Sequence, residues 1–182
     1  MHDDRALPAA VTVHELTIID DRRGSIVELD RRSWHPDDLA AQWTLSRSLP
    51  GVLRGPHGHR QHTDRLVVLD GELVVGLVDL RRYSTTAGLR TTFTLEPLRV
   101  LTIPPGVLHG FFSATATTAL NATSHEYDPA DDYEVRHDDP DLGLTWPSPC
   151  PVLSSRDRDA ATLSIVLTQC AAEGIPVIDR PR

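Results

Sequence analysis

Arg54-Gly55-Pro56-His57-Gly58-His59, followed by Asp64 and Gly71 and answered downstream by Pro104-Pro105-Gly106-Val107-Leu108-His109, gathers three imidazoles and a carboxylate at short spacings. Two chemistries use such a set. Imidazole titrates near neutral pH and can take and return a proton, and three imidazole nitrogens with one carboxylate can also hold Fe(II), Mn(II), Ni(II) or Zn(II). Alternation along a strand puts His57 and His59 on one face, which in a small barrel is the lumen. All eighteen basic residues are Arg, so Schiff-base and lysine-base mechanisms are excluded. His62, beside the cluster on a polar stretch, reads as exposed.

These side chains need a scaffold, and the sequence reads as an all-β one. Short apolar runs closed by Gly, Pro, Asp or Asn predict strands over Val11–Ile19, Ser25–Glu28, Gln42–Ser48, Leu66–Leu69, Leu73–Val78, Thr91–Leu95, Arg99–Ile103, His109–Ser113 and Ala119–Thr123. Asp70-Gly71 supplies the turn of the clearest hairpin. Many short strands imply a sandwich or barrel. Asp128–Pro149, rich in Asp and Pro, reads as loop, and Asp157–Ala172 carries the one helix, after Ser154-Ser155 as capping candidates. The 182 residues are expected to form a single domain, with the barrel over about 11–125 and a C-terminal loop and helix over about 126–182.

A net charge of −8 without a basic stripe argues against nucleic acid as a partner. The N-terminal Asp3, Asp4 and Arg5 read as no signal peptide, and no apolar run is long enough to cross a membrane. Two cysteines, Cys150 and Cys170, form no disulfide framework, so a cytoplasmic location is expected.

His57-x-His59, Asp64, Gly71 and Pro104-x-Gly106-x-x-His109 resemble the two motifs of the cupin superfamily, with Asp64 in place of Glu and Ser113 in place of a closing Asn. The resemblance implies a jelly-roll β-barrel. The flanks are more specific. Asp21-Arg22-Arg23-Gly24-Ser25-Ile26-Val27-Glu28, Val52-Leu53-Arg54-Gly55-Pro56-His57, Val74 to Arg81, Ile103 to Phe111, Tyr127-Asp128-Pro129, Asp139 to Pro147 and Leu153-Ser154-Ser155-Arg156-Asp157 resemble the dTDP-4-dehydrorhamnose 3,5-epimerase family, over about residues 10–160.

That resemblance implies a nucleotide-activated 4-keto-6-deoxysugar as substrate and no cofactor. It implies His57 as the base that removes a proton alpha to the ketone, Asp157 as its orienter and His109 near the developing enolate oxygen. Arg23 and Arg54 match arginines that contact the substrate, with Glu28 and Asn121 also in the binding set. Asn121 falls where the family carries a tyrosine acid, and Asp64 where it carries a lysine. His59 after the Arg-Gly motif, and Tyr127 to Tyr133, resemble the related dTDP-sugar 3,4-ketoisomerases, in which His57 and His59 would act as a pair. If the strand before Asn121 runs on past Thr123, His125 and Tyr127 share its face. The families are homodimers whose N-terminal strands pair across the interface, an assembly that Val11-Thr12-Val13 permits. Two other readings stay open: a metal-dependent cupin enzyme with His57, His59, Asp64 and His109 as ligands, and a non-catalytic nucleotide-sugar-binding barrel.

Overall fold

The computed structural model describes residues 6–179; Asp3, Asp4 and Arg5, on which the reading of the N-terminus rests, lie outside the described residues. The apolar runs fold as strands β1 (Thr12–Glu15), β2 (Ile18–Asp21), β3 (Gly24–Val27), β4 (Gln42–Ser48), β5 (Leu53–His59), β6 (Asp64–Asp70), β7 (Leu73–Asp79), β8 (Arg90–Leu95), β9 (Arg99–Ile103), β10 (Val107–Ser113), β11 (Thr117–Thr123) and β12 (Asp132–Glu134). They form two five-stranded sheets, ordered β1-β9-β6-β11-β4 and β12-β5-β10-β7-β8, while β2 and β3 make a separate hairpin. This is the jelly-roll class that the strand pattern and the cupin-like motifs predict.

The period-two pattern decides which side chains meet. Leu66 and Val68 of β6, Leu73, Val75 and Leu77 of β7, and Leu101 and Ile103 of β9 point into one core between the sheets. Asp64 has the same parity as Leu66 and Val68 and continues their inward stripe as a charge. On the opposite face, Val78 and Leu108 pack against Leu163, Val166, Leu167 and Cys170 of the C-terminal helix. Trp146 lies over Gly76 and Gly110 on that outer face, where a Cβ at either position would come within 2.9 Å of the indole, so its role is packing.

Three expectations change. The single strand over Val11–Ile19 is two: Leu16 is buried and its N–H bonds Leu98 O at 2.9 Å, after which the chain leaves β9 and enters the hairpin. The single helix over Asp157–Ala172 is also two, α1 (Ser155–Arg158) and α2 (Leu163–Ala172). The break has a cause: Asp157 turns toward β5, whereas Leu163, Val166, Leu167 and Cys170 turn toward the outer core. Asp139 accepts the Leu163 N–H at 2.8 Å and so closes the new helix start. Finally, the presumed loop after Asp128 contains β12, which pairs with β5 through Asp132 with His59, Tyr133 with Gly58 and Glu134 with His57. Gly58 is required there, since a Cβ would sit 2.3 Å from the Tyr133 ring.

Candidate active site

β5 and β10 build the centre of the site. His57 is the cross-strand partner of His109, and Arg54 that of Phe111, so three steps along β5 match two along β10. The extra residue is a bulge at Gly55-Pro56. Strict alternation would put Arg54 and His57 on opposite faces; the bulge brings them to the same one. Gly55 takes a φ of +87°, and a Cβ on it would meet His109 O at 2.8 Å, so only glycine fits this approach.

His57 Nε2 lies 2.6 Å from Asp157 Oδ1. The same oxygen accepts the Gly55 N–H at 3.2 Å, and Oδ2 accepts the Ser154 hydroxyl at 2.7 Å. Ser154 caps α1 by accepting the Asp157 N–H, which fixes the carboxylate by a short turn of helix. Burial alone would push the Asp157 carboxyl up; the bonds from His57, Ser154 and Gly55 reverse this and hold it below the usual carboxylate range. Against a carboxylate the imidazole carries its proton on Nε2, leaving the Nδ1 lone pair for a substrate proton. The His57 side chain is 24% exposed, enough to be reached.

His59, His109 and Asp64 form a second group. His59 Nδ1 is 2.6 Å from Asp132 Oδ1, and His109 Nδ1 is 3.1 Å from Val107 O. Their Nε2 atoms lie 3.3 and 3.6 Å from Asp64 Oδ2. His62, expected at the surface, is buried in the same group: Nδ1 is 2.6 Å from Asp131 Oδ2 and Nε2 is 3.7 Å from Asp64 Oδ2. Its ring stacks on that of His59 with centroids 3.7 Å apart. His57, turned to Asp157, takes no part in these contacts.

Electrostatics follow the burial. Desolvation pushes the His109 imidazole down to about 4, against the pull of Asp64. Burial lowers His62 too, but Asp64 and Asp131 outweigh it and leave that imidazole above its ordinary value. Burial would raise Asp64, yet His62, His109, His59 and Asn121 hold its carboxyl far below the usual range. For Asp132, burial is overcome by His59 and Arg156, which draw it down to about 2.

The remaining predicted residues divide. Asn121 reaches the lumen, where its Nδ2 donates to Asp64 Oδ1 at 2.7 Å. Arg54 bonds Ser48 Oγ through Nε at 3.0 Å. Arg23 and Glu28 are not brought to the dyad: Arg23 is exposed and paired with Asp21, and Glu28 pairs with Arg31. β11 ends at Thr123, so His125 and Tyr127 do not extend its face; the Tyr127 hydroxyl instead lies 3.4 Å from Arg156 Nη1. Residues missed from the sequence are His62, Asp131, Asp132 and Arg156. The one signal for the two aspartates was the acidic stretch between Tyr127 and Tyr133.

A histidine–aspartate dyad beside a buried histidine–carboxylate cluster, both inside a jelly roll, defines a cupin-type barrel with an ionisable lumen. The family model described as dTDP-4-dehydrorhamnose 3,5-epimerase matches residues 6–164, and the chain belongs to that family. It is 34% identical over 133 residues to a Streptomyces niveus protein named dTDP-4-dehydrorhamnose 3-epimerase, covering 68% of this chain and 63% of that protein. It is 38% identical over 122 residues to dTDP-4-dehydrorhamnose 3,5-epimerase of Methanothermobacter thermautotrophicus, covering 63% and 66%. The chain thus spans just under two thirds of the length of these two relatives. NovW, a 4-keto-6-deoxy sugar epimerase from the novobiocin biosynthetic gene cluster of Streptomyces spheroides, superposes with a TM-score of 0.80 at 28% identity, over 94% of this chain and 90% of that one.

Proposed function

We propose that this chain is an isomerase that epimerises a dTDP-linked 4-keto-6-deoxysugar, with His57 as the base and Asp157 as its orienter. The observation that carries this reading is the 2.6 Å contact between His57 and Asp157, which leaves one ring nitrogen of an accessible imidazole free on the face shared with Arg54. A proton alpha to a ketone is acidified by the carbonyl, and a positioned imidazole removes it as the enolate forms. Reprotonation of the enolate by water on the opposite face inverts the carbon, and His57 returns its proton to solvent. Arg54 supplies positive charge for the diphosphate. His59 is not the second base of a ketoisomerase pair in this reading, because its two nitrogens face Asp132 and Asp64. The reaction belongs in a reducing cytoplasm, in keeping with free Cys150 and Cys170; among the described residues no helix is long and apolar enough to cross a membrane.

Incubation with dTDP-4-keto-6-deoxyglucose in deuterated water tests the reading. Deuterium is expected at a carbon alpha to the ketone, followed by NMR and mass spectrometry. Turnover-length incubation with no incorporation at either alpha carbon overturns it.

The same reading includes a homodimer in which the β2–β3 hairpin of one copy covers the other and carries Arg23 and Glu28 to its site. Among the described residues the hairpin pairs with no other strand, and Ile18, Ile19 and Ile26 on it are 48%, 59% and 62% exposed. Sedimentation should give twice the 20.1 kDa chain mass, and Ile19→Asp with Ile26→Asp should halve it; a monomeric wild type contradicts the assembly.

A further inference from the structure

We infer that the lumen holds a divalent transition-metal ion bound by His59, Asp64 and His109, with His62 as a fourth donor, a set different from the one that the cupin-like spacing implies. Donor atoms of His59, Asp64 and His109 lie within 4.8 Å of one another. Asp64 is only 4% exposed, and its Oδ2 has no hydrogen-bond partner among the described residues. An orphaned carboxylate oxygen in a protein interior is costly. Three Nε2 atoms surround it at 3.3, 3.7 and 3.6 Å. These separations exceed the ordinary N–H···O range of about 2.7–3.2 Å. They bracket the edge of about 3.4 Å that joins two ligands of a tetrahedron with bonds of about 2.0–2.1 Å.

The outer contacts agree. Each of the three rings has its Nδ1 against an acceptor, Asp132 for His59, Asp131 for His62 and Val107 O for His109. That arrangement keeps the proton on Nδ1 and turns the Nε2 lone pair inward, as ligating histidines require. The carboxylate donor is oriented as well, since Asn121 Nδ2 holds Asp64 Oδ1 at 2.7 Å. Three nitrogens and one oxygen suit Zn(II) and, with less demanding geometry, Mn(II), Fe(II), Ni(II) or Co(II). Such an ion would be held in part by His109, the cross-strand partner of His57, and a Lewis acid there would withdraw electron density from a carbonyl oxygen.

The full untagged chain, purified without chelator, is analysed for metals by inductively coupled plasma mass spectrometry. Thermal unfolding is then followed after chelation and after return of Zn(II), Mn(II), Fe(II), Ni(II) or Co(II). About one equivalent of metal is expected, and restored metal at a hundredfold excess over Kd should raise Tm by roughly 5–10 °C. Asp64→Asn and His109→Gln should fall below about a tenth of an equivalent, while His57→Asn keeps its metal in full. Co(II) absorption in the visible, titrated into chelated wild type, reads the site even where a variant folds poorly. Wild type with under about a tenth of an equivalent and no thermal shift from any of the five ions overturns the proposal, as does loss of metal in His57→Asn. No sugar is needed, so a failure of the epimerase reading is separable: metal bound without deuterium exchange removes only that reading.

Discussion

His57→Asn is expected to lose solvent-deuterium exchange alpha to the ketone by about 10²- to 10⁴-fold, with the fold intact. The argument is one of proton affinity. An amide cannot hold a proton at neutral pH, so the step in which the carbon gives up its hydrogen loses its acceptor. Asparagine ends where the ring carries Nδ1 and Cδ2, so it gives up the bond that His57 Nε2 makes to Asp157 Oδ1 but adds no bulk to the site. The Asp157 carboxylate keeps its bonds from Gly55 and Ser154. The loss should therefore appear in kcat and kcat/KM together, with KM nearly unchanged, since the charge that would bind the diphosphate resides in Arg54. Exchange rates within tenfold of wild type would show that another group takes the proton.

Local pattern reached much of this fold and less of its site. Alternation found most strands, and Asp70-Gly71 marked its hairpin, because each signal lies within a few residues. β12 escaped because three residues with one large apolar side chain carry no periodicity; its partner β5 is about seventy residues earlier. His62 shows the same limit. Its neighbours Arg60, Gln61 and Thr63 are polar, and what buries it is Asp131, 69 positions away. Arg54 and His57 share a face only through the bulge at Gly55-Pro56, which strict alternation does not foresee. Asp157, by contrast, was legible through its Leu-Ser-x-x-Asp setting, and the Ser154 cap explains why that setting matters.

The two departures from the family pattern turn out to be one. Asn121 stands where the resemblance implies a tyrosine acid and Asp64 where it implies a lysine, and here the two side chains bond each other at 2.7 Å. Where the resemblance implies a phenol and an ammonium, this chain has an amide beside a carboxylate, with three imidazoles around that charge. Neither substitution makes physical sense alone, since a buried carboxylate needs compensation and an amide cannot supply a proton. Together they answer each other, since the amide N–H of Asn121 compensates the carboxylate of Asp64.

Asp157→Asn should reduce the exchange rate by about 10²- to 10⁴-fold, and it should do so for a different reason from His57→Asn. Asp157 Oδ1 accepts from both His57 Nε2 and the Gly55 N–H, so the carbonyl oxygen of asparagine is the atom that best fills this place. The amide NH2 then faces Ser154 Oγ, which has a lone pair to receive it. The tautomer of His57 survives, but the imidazolium formed on proton abstraction has lost its counter-charge. Stability should respond with a definite sign. The folded carboxyl is held below its reference value of 3.8, so the unfolded chain binds the proton more readily. Its contribution is complete above that pH and is lost as pH falls through the folded value. Urea midpoints of wild type and Asp157→Asn should therefore differ by a constant amount at neutral pH and converge below about pH 4. A gap that stays constant through acid would mean that the carboxylate is not held by His57, Ser154 and Gly55 in solution, and a normal exchange rate in the variant would remove Asp157 from the chemistry altogether.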